Sequence, residues 1–402
     1  MVLTKMEVLI VYKEDYPWDV RVEKLALALK GDGHNVTVLA RNRDQLSTID
    51  ERDGIAIRRL PVTRRFPTVV QVAVNLPFWF NPFWLWLLFK SSRSMKGNRG
   101  VIIVRDLPLV KAGIIVAKFR KSKMVFDMAE CYPEMYESAA KFSNRSLTTR
   151  ILKSPWFAKQ YERNVVGMVD HILVMIQESK DRLISMGVDE ENISIVSNTP
   201  SIDKFKGKIH EHNGNQLRIV YVGFLSKLRG LDLLIEGAAQ YIKTRESTDA
   251  IRIDIIGKGE QRERLIALSN ELGIGESVKI HGWLDQDEVD ELMSLANVGA
   301  LTYRVCGHWN HTIPNKIFDY MLAGLPVLAT EVIPIARILK ETNSGVICKD
   351  LDSVDIAEKL VLLRDPHKRS FLGENGRNAI KSKYNWENDT KILREIINDL
   401  HQ

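Results

Sequence analysis

Short apolar runs alternate with amphipathic stretches along this 402-residue chain, and the alternation starts afresh past the midpoint. In the first half EVLIVY is followed by RVEKLALALKGDGH, an amphipathic helix stopped by Gly31 or Gly33, and then by NVTVLA. VIIVRD, AGIIVAKFR, KMVFDMAE, DHILVM, a helix over Ser179 to Met186 and ISIVSN continue the pattern. Runs this apolar read as strands buried on both faces, and a strand–helix rhythm is satisfied by parallel pairing with crossover helices. A polar, turn-rich stretch, SIDKFKGKIHEHNGNQ, then interrupts it, which places a boundary near Lys208 to Asn215. LRIVYVG, GLDLLIEGAAQYIKTR, IRIDIIG, EQRERLIALSNELGI, VKIHGW, QDEVDELMSLA, VGALTY and PVLAT repeat the rhythm. The expected fold class is α/β, with two Rossmann-like domains at 1–207 and 208–382. The length agrees, being too great for one ordinary core. The tail YNWENDTKILREIINDLHQ is a last amphipathic helix that either completes the second domain or crosses back onto the first.

Composition narrows the class. Hydrophobic residues at 45% and charged residues at 27% describe a soluble globular chain. Cys131, Cys306 and Cys348 are too few and too scattered for a disulfide framework or a metal site, which fits a reducing cytoplasm. The run MEVLIVY leads directly into a strand and does not read as a signal peptide. The net charge of +6 is lopsided: residues 1–200 hold 30 Lys and Arg against 22 Asp and Glu, the rest 27 against 29. The imbalance is either ordinary surface variation or the mark of an anionic partner, a phospholipid surface or nucleic acid. No recognised nucleic-acid module is present, so a nucleic-acid partner is not expected.

The stretch VNLPFWFNPFWLWLLFKSSR, Val74 to Arg93, bears on that choice. Asn81 and Pro82 read as an N-cap and a first helical residue, and the helix after them is apolar all round. It is shorter than the roughly 20 apolar residues a bilayer span requires. Phe78, Trp79, Phe83, Trp84 and Trp86, near Arg93, Lys96 and Arg99, suit an interfacial membrane anchor or a greasy acceptor groove. The other reading is a helix buried under its own domain.

Ligands of open α/β sheets bind where strands end and helices begin. VGFLSKLRG supplies Gly223, Lys227 and Arg229, and IIGKGEQ supplies Gly257 and Gly259. Trp283, closing VKIHGW, is placed with them. Neither glycine cluster completes a dinucleotide fingerprint or a Walker loop. The third turn is NHTIPNKIFDYMLAGLPVLAT, with a helix expected from Pro314 to Gly324 and no capping side chain directly before it. The amides of Asn315 and Lys316, with Thr312 and Ile313 just outside, are then free to bind an anion such as a diphosphate. Lys316 and Asp319 share a helix face. One can meet phosphate while the other reaches a ribose; alternatively they form an ordinary surface ion pair. On the first-domain side, DMAECYPEM places Asp127 and Glu130 at a strand end, as sugar contact and acceptor base, or as caps of the next turn. YPWDVRVEK offers Asp19 and Arg21 to the same place. His308 and His311 lack further ligand partners, so no metal is expected. His210 and His212 fall in the linker, and Asp285 to Glu288 reads as a helix cap.

These segments together resemble the GT-B glycosyltransferases of the GT4 type, over almost the whole chain. DVRVEKLALALKGDGHNVTVLA resembles the family's first helix and second strand, FDMAECYPE its aspartate-x-x-acid-x-x-Pro-Glu segment, and VGFLSKLRGLDLLIEGA its phosphate loop. IPNKIFDYMLAGLPVLAT resembles the signature PNKxFEYMAAGxPV. The resemblance implies two domains facing across a cleft, a last helix over 383–402 that crosses back to the first domain near Trp386, and retaining transfer from a nucleotide-sugar, UDP-linked by default. It implies no obligatory metal or other cofactor. Glu130, His311, Arg229 and Lys316 are the implied catalytic residues, and charge on the departing diphosphate is met by cations and helix amides. Phe224 stands where the family has a phosphate-loop Arg, and Arg229 where it has Lys. His311 and Asp319 stand for the family's paired glutamates. The acceptor implied is a glycan or a lipid-linked glycan of polysaccharide or glycolipid synthesis, at the inner, cytoplasmic face of a membrane. Two other functions fit the same pattern. An epimerase or phosphorylase would turn over its sugar substrate without an added acceptor, and a nucleotide-binding scaffold would bind without transfer.

Overall fold

The computed structural model describes residues 5–17, 19–95, 100–142, 147–205, 216–245 and 251–401. They form two compact units, one of Met1–Tyr136, Ser146–Asn198 and Asp389–Gln402, the other of Glu137–Arg145 and Thr199–Asn388. The division after Asn198 precedes the expected linker. Lys208 to Asn215, with His210 and His212, lies outside the described residues, as do Lys96 and Arg99.

Among the described residues the first unit holds strands β1 (Glu7–Asp15), β2 (Asn35–Arg41), β3 (Ile49–Arg52), β4 (Ile55–Arg59), β5 (Gly100–Arg105), β6 (Lys123–Met128), β7 (His171–Val174) and β8 (Ile193–Ile195). They form one sheet in the order β3-β4-β2-β1-β5-β6-β7-β8. Val8 is in register with Val36 on one side and Val101 on the other, and all three are buried. Such uniform burial is why the runs are apolar without alternation. The antiparallel β3–β4 hairpin was not expected from sequence: β3 is an edge strand with three exposed residues and no apolar face to give it away.

The second unit holds β9 (Leu217–Val222), β10 (Ile251–Ile256), β11 (Val278–Gly282), β12 (Val298–Leu301), β13 (Val327–Thr330) and β14 (Gly345–Cys348). All pair in parallel, in the order β11-β10-β9-β12-β13-β14. Counted within the unit this is the dinucleotide-binding order 3-2-1-4-5-6, whose direction reverses between β9 and β12.

Crossover helices follow from local chemistry. Asp19 accepts from the Val22 amide at 2.9 Å and opens the helix Val20–Gly31, whose Val22, Leu25, Ala26 and Leu29 form one buried stripe. Asn81 caps the helix Pro82–Ser91 by accepting from Phe83, with Pro82 at its start. That helix is two-faced despite its apolar sequence. Trp84 is 0% exposed, in the core with Leu87 and Leu88, so it cannot face a membrane. Phe83 at 40% and Trp86 at 49% look outward, and Phe78 and Trp79 are half-buried. At the chain's end, helices Pro366–Ser382 and Trp386–Asp399 are separated by a break, and residues from Asp389 onward belong to the first unit.

Candidate active site

At the carboxyl edge of the second sheet the loops are knitted backbone to backbone. The Gly223 amide donates to Ile256 at 2.9 Å, Leu225 to Lys258 at 3.0 Å, Gln261 to Leu225 at 3.0 Å and Gly257 to Gly282 at 2.7 Å. A Cβ on Gly257, whose φ is +140°, would lie 1.8 Å from the Gly223 carbonyl oxygen, and one on Gly259 2.3 Å from that of Leu225. These glycines are therefore demanded by loop-on-loop contact, whatever ligand approaches them.

Arg229 ends a short 3-10 turn, Lys227–Arg229, after β9. Its guanidinium lies 4.6 Å from the ring of Tyr303, just after β12, and 4.4 Å from that of Trp309, in the short helix Gly307–Asn310 that follows. Two aromatic faces thus hold a cation at the point where the strand order reverses. Trp309 also packs on His308, with ring centroids 4.3 Å apart. His308 is buried, and its backbone amide donates to Ser138 Oγ at 3.1 Å. Burial, aided by the Arg229 charge, lowers its imidazole pKa to about 4. His311 Nδ1 lies 2.9 Å from the Gly307 carbonyl. A carbonyl only accepts, so Nδ1 is the donor of this pair.

The helix expected from Pro314 runs over Lys316–Leu322. Its first bond is tight, Ile317 N–H to the Pro314 carbonyl at 3.1 Å, so Pro314 and Asn315 remain outside. Among the described residues no acceptor lies against the amides of Asn315 or Lys316. Thr312 and Ile313 are buried just before them. Lys316 and Asp319 pair directly, Nζ to Oδ2 at 2.7 Å, and Lys204 Nζ binds Oδ1 at 2.8 Å. Burial alone would raise the Asp319 carboxyl; Lys316 and Lys204 outweigh it and hold its pKa below the usual carboxylate value. The ion pair with Lys316 is the plainer of the two arrangements its spacing allowed. Lys227 is exposed, and Trp283 is 72% exposed with Lys258 Nζ 5.1 Å over its ring.

In the first unit the structure corrects two assignments. Arg21 and Asp127 face each other in the core at 1% and 0% exposure, Arg21 Nε reaching both carboxylate oxygens at 2.9 Å. Asp127, at the end of β6, is buried and needs this cation, so neither residue is open to an acceptor. Asp19 is engaged as the helix cap, by the Tyr12 hydroxyl at 3.2 Å and by Arg105. Glu130 is half-buried in the bend between β6 and the helix Tyr132–Phe142. Among the described residues no cluster of three His, Cys, Asp or Glu is placed to hold a metal ion. Asp285 and Glu288 form a reciprocal capping box.

Sequence reading missed Tyr303, Trp309 and Lys204. The two aromatics carried a weak signal, since both belong to the strand-end segment VGALTY…GHWNHT. Lys204 carried none, lying 115 residues from Asp319.

Comparison with known proteins agrees with this geometry. Residues 19–199 match the family described as Glycosyl transferase 4-like domain, and residues 203–379 the family Glycosyl transferases group 1. An uncharacterized glycosyltransferase of Methanocaldococcus jannaschii is 20% identical over 380 residues, 92% of this chain and 91% of that protein. Among solved structures, sucrose-phosphate synthase from Thermosynechococcus elongatus superposes with a TM-score of 0.78 at 15% identity, covering 98% of this chain and 99% of that one. Anabaena HepE, solved with UDP and glucose, superposes with a TM-score of 0.72 at 14% identity, covering 98% and 100%. With both units matched in chain order and the same architecture in its structural neighbours, the chain belongs to the GT4-type glycosyltransferases of GT-B fold.

Proposed function

We propose that this glycosyltransferase takes its sugar from a nucleotide-sugar, a UDP-sugar first of all, and passes it with retention to a hydroxyl of a glycan or lipid-linked acceptor. The observation that carries the reading is Arg229, held between Tyr303 and Trp309 where the second sheet reverses its strand order. The bond from the anomeric carbon to the diphosphate breaks, a bond to the acceptor oxygen forms, and the diphosphate leaves with the electron pair. Arg229 meets that charge in fork geometry, and the amides of Asn315 and Lys316, which meet no acceptor among the described residues, supply donors that need no reorganisation. Lys316 adds its charge through the Asp319 pair. Each Asp319 oxygen keeps acceptor capacity beyond its lysine, so a ribose diol can join the clamp. UDP bound by HepE is consistent with this choice of donor.

The test is thermal stabilisation by nucleoside diphosphates and their sugars, followed by a transfer assay with the product anomer read by NMR. UDP at 100-fold excess over its dissociation constant should add about 2.7 kcal/mol. Arg229→Ala should abolish that gain and lower transfer by roughly 10²–10³-fold. A protein that no nucleotide stabilises, or that is unaffected by the substitution, removes the proposal.

The acceptor half of the proposal places the first unit against an anionic membrane surface on the cytoplasmic side. No described helix is long and apolar enough to cross a membrane. Phe66, Phe80, Phe83, Trp86 and Phe119 are exposed, and from Gly54 to Arg105 the chain has nine Lys and Arg and no Asp or Glu. Arg59 and Arg105 are paired with Asp50 and Asp19; the exposed aromatics and the remaining basic residues of this stretch suit an interfacial contact. Anionic vesicles should float the protein and neutral ones should not, with Phe83→Ala and Trp86→Ala weakening capture. Equal behaviour on both vesicle types defeats the membrane assignment.

A further inference from the structure

Beside the carboxyl end of β2 lies a cavity of about 430 Å³ in the first unit, lined in part by Arg41, Arg43, Gln45, Thr68, Gln71 and Asn75. Its walls are fixed from behind. Asn75 Oδ1 accepts from the Asn42 amide at 3.0 Å, and Gln45 Nε2 donates to the Asn42 carbonyl at 3.1 Å. Gln45 Oε1 accepts from Thr63, and Gln71 Nε2 donates to the Phe66 carbonyl at 2.8 Å. Arg41 is held by Asp15, Nε to Oδ2 at 3.0 Å, and by Glu14.

What these bonds leave over is a set of donors. The Arg43 guanidinium is exposed and meets no partner among the described residues; only its backbone amide is engaged, by Asp15 at 2.6 Å. The helix Thr68–Asn75 begins without a side-chain cap. Val70 and Gln71 donate to the Pro67 carbonyl, but no described acceptor lies against the amides of Thr68 and Val69. Arg64 stands behind, bonded to the Gln45 carbonyl at 3.0 Å. No acidic residue lines the cavity. The Arg43 guanidinium, which meets no partner among the described residues, and the Thr68 hydroxyl among the lining groups fit an anion with several acceptor oxygens. The volume lies in the range of small-molecule sites and exceeds that needed for a lone ion.

We infer that this cavity is a subsite for the phosphate or pyrophosphate group of the acceptor. The word acceptor rests on the function proposed above; the binding itself does not. Val72, Leu76 and Pro77 form the apolar rim, and Phe66 and Val69 are exposed close by, which favours a phosphate carried on a lipid over one carried on a free sugar.

The experiment titrates inorganic pyrophosphate into the full-length protein with and without saturating UDP. It then measures capture by phosphatidylcholine vesicles carrying polyprenyl phosphate or, at matched charge, phosphatidylglycerol. Pyrophosphate should bind in the presence of UDP, and Arg43→Ala should weaken it about tenfold or more. Arg43→Lys should restore part of the loss. Preference for polyprenyl phosphate, lost in Arg43→Ala, marks a lipid-borne group; pyrophosphate binding without that preference marks a soluble phosphorylated acceptor. Pyrophosphate binding weakened only by Arg229→Ala, or by neither substitution, overturns the inference. UDP binding that survives Arg229→Ala overturns the donor assignment instead, so the two failures are distinct.

Discussion

Two titrating side chains of the second unit respond to acid in different windows. His308 is buried against Trp309 and beside Arg229, which brings its pKa to about 4. Unfolded, it takes a proton near pH 6.5. Its contribution to stability is whole above that value and is lost progressively as pH falls to about 4, a change of about 3 kcal/mol. Asp319 runs the other way in charge but the same way in pH: its pKa is depressed, so the Lys204 and Lys316 clamp stabilises above the ordinary carboxylate value and fails below it. Melting curves at pH 7 and pH 4.5 should therefore converge in His308→Phe relative to the native chain. An unchanged gap would show that another group carries the acid sensitivity. None of this was legible from the His308–His311 spacing, because the pKa depends on burial and on a cation from another strand end.

Elements carry a different kind of information. The parallel strands were legible because a strand covered on both faces has no reason to alternate, and EVLIVY or LRIVYVG can hardly be anything else. The β3–β4 hairpin was not, since an exposed edge strand obeys no burial pattern. The helix Pro82–Ser91 lies between these cases. Its caps were readable at Asn81 and Pro82, but a helix apolar all round does not say which face is covered. Packing against Leu87, Leu88 and the first unit's core decides it, burying Trp84 and leaving Trp86 outside, with Lys90 4.6 Å over the Trp86 ring. Trp84→Ala should cost about 3–5 kcal/mol in chemical denaturation, and Trp86→Ala within about half a kcal/mol. Similar costs would mean that the covered face has been assigned wrongly. The Arg21–Asp127 pair illustrates the remaining blind spot. Two charged residues 106 positions apart looked like cleft groups because each sits at an element's end, and only the fold shows that they neutralise each other.

At the scale of the whole chain, the first unit is completed by a helix that follows the second unit in sequence, Trp386–Asp399. Leu393, Ile396 and Ile397 of the helix Trp386–Asp399 are buried, Asp389 accepts from the Ser197 amide at 3.2 Å, and Arg394 grips Asp32 at 2.7 and 2.8 Å. The amphipathic pattern of the tail was plain in the sequence, but an apolar stripe does not name the surface it covers, so it was the family resemblance and not the pattern that pointed to the first domain. Membership of Asp389–Gln402 in the first unit makes that unit's stability depend on a segment reached only through the second. Ile397→Ala removes a fully covered side chain and should cost about 2–5 kcal/mol. The cost should be local. Hydrogen exchange should quicken in the helix Val20–Gly31, whose following residue Asp32 bonds to Arg394, and across β1 and β2, while β9 to β14 keep their protection. Faster exchange in β9 to β14 with β1 and β2 unmoved would assign the last helix to the second unit and contradict the structure.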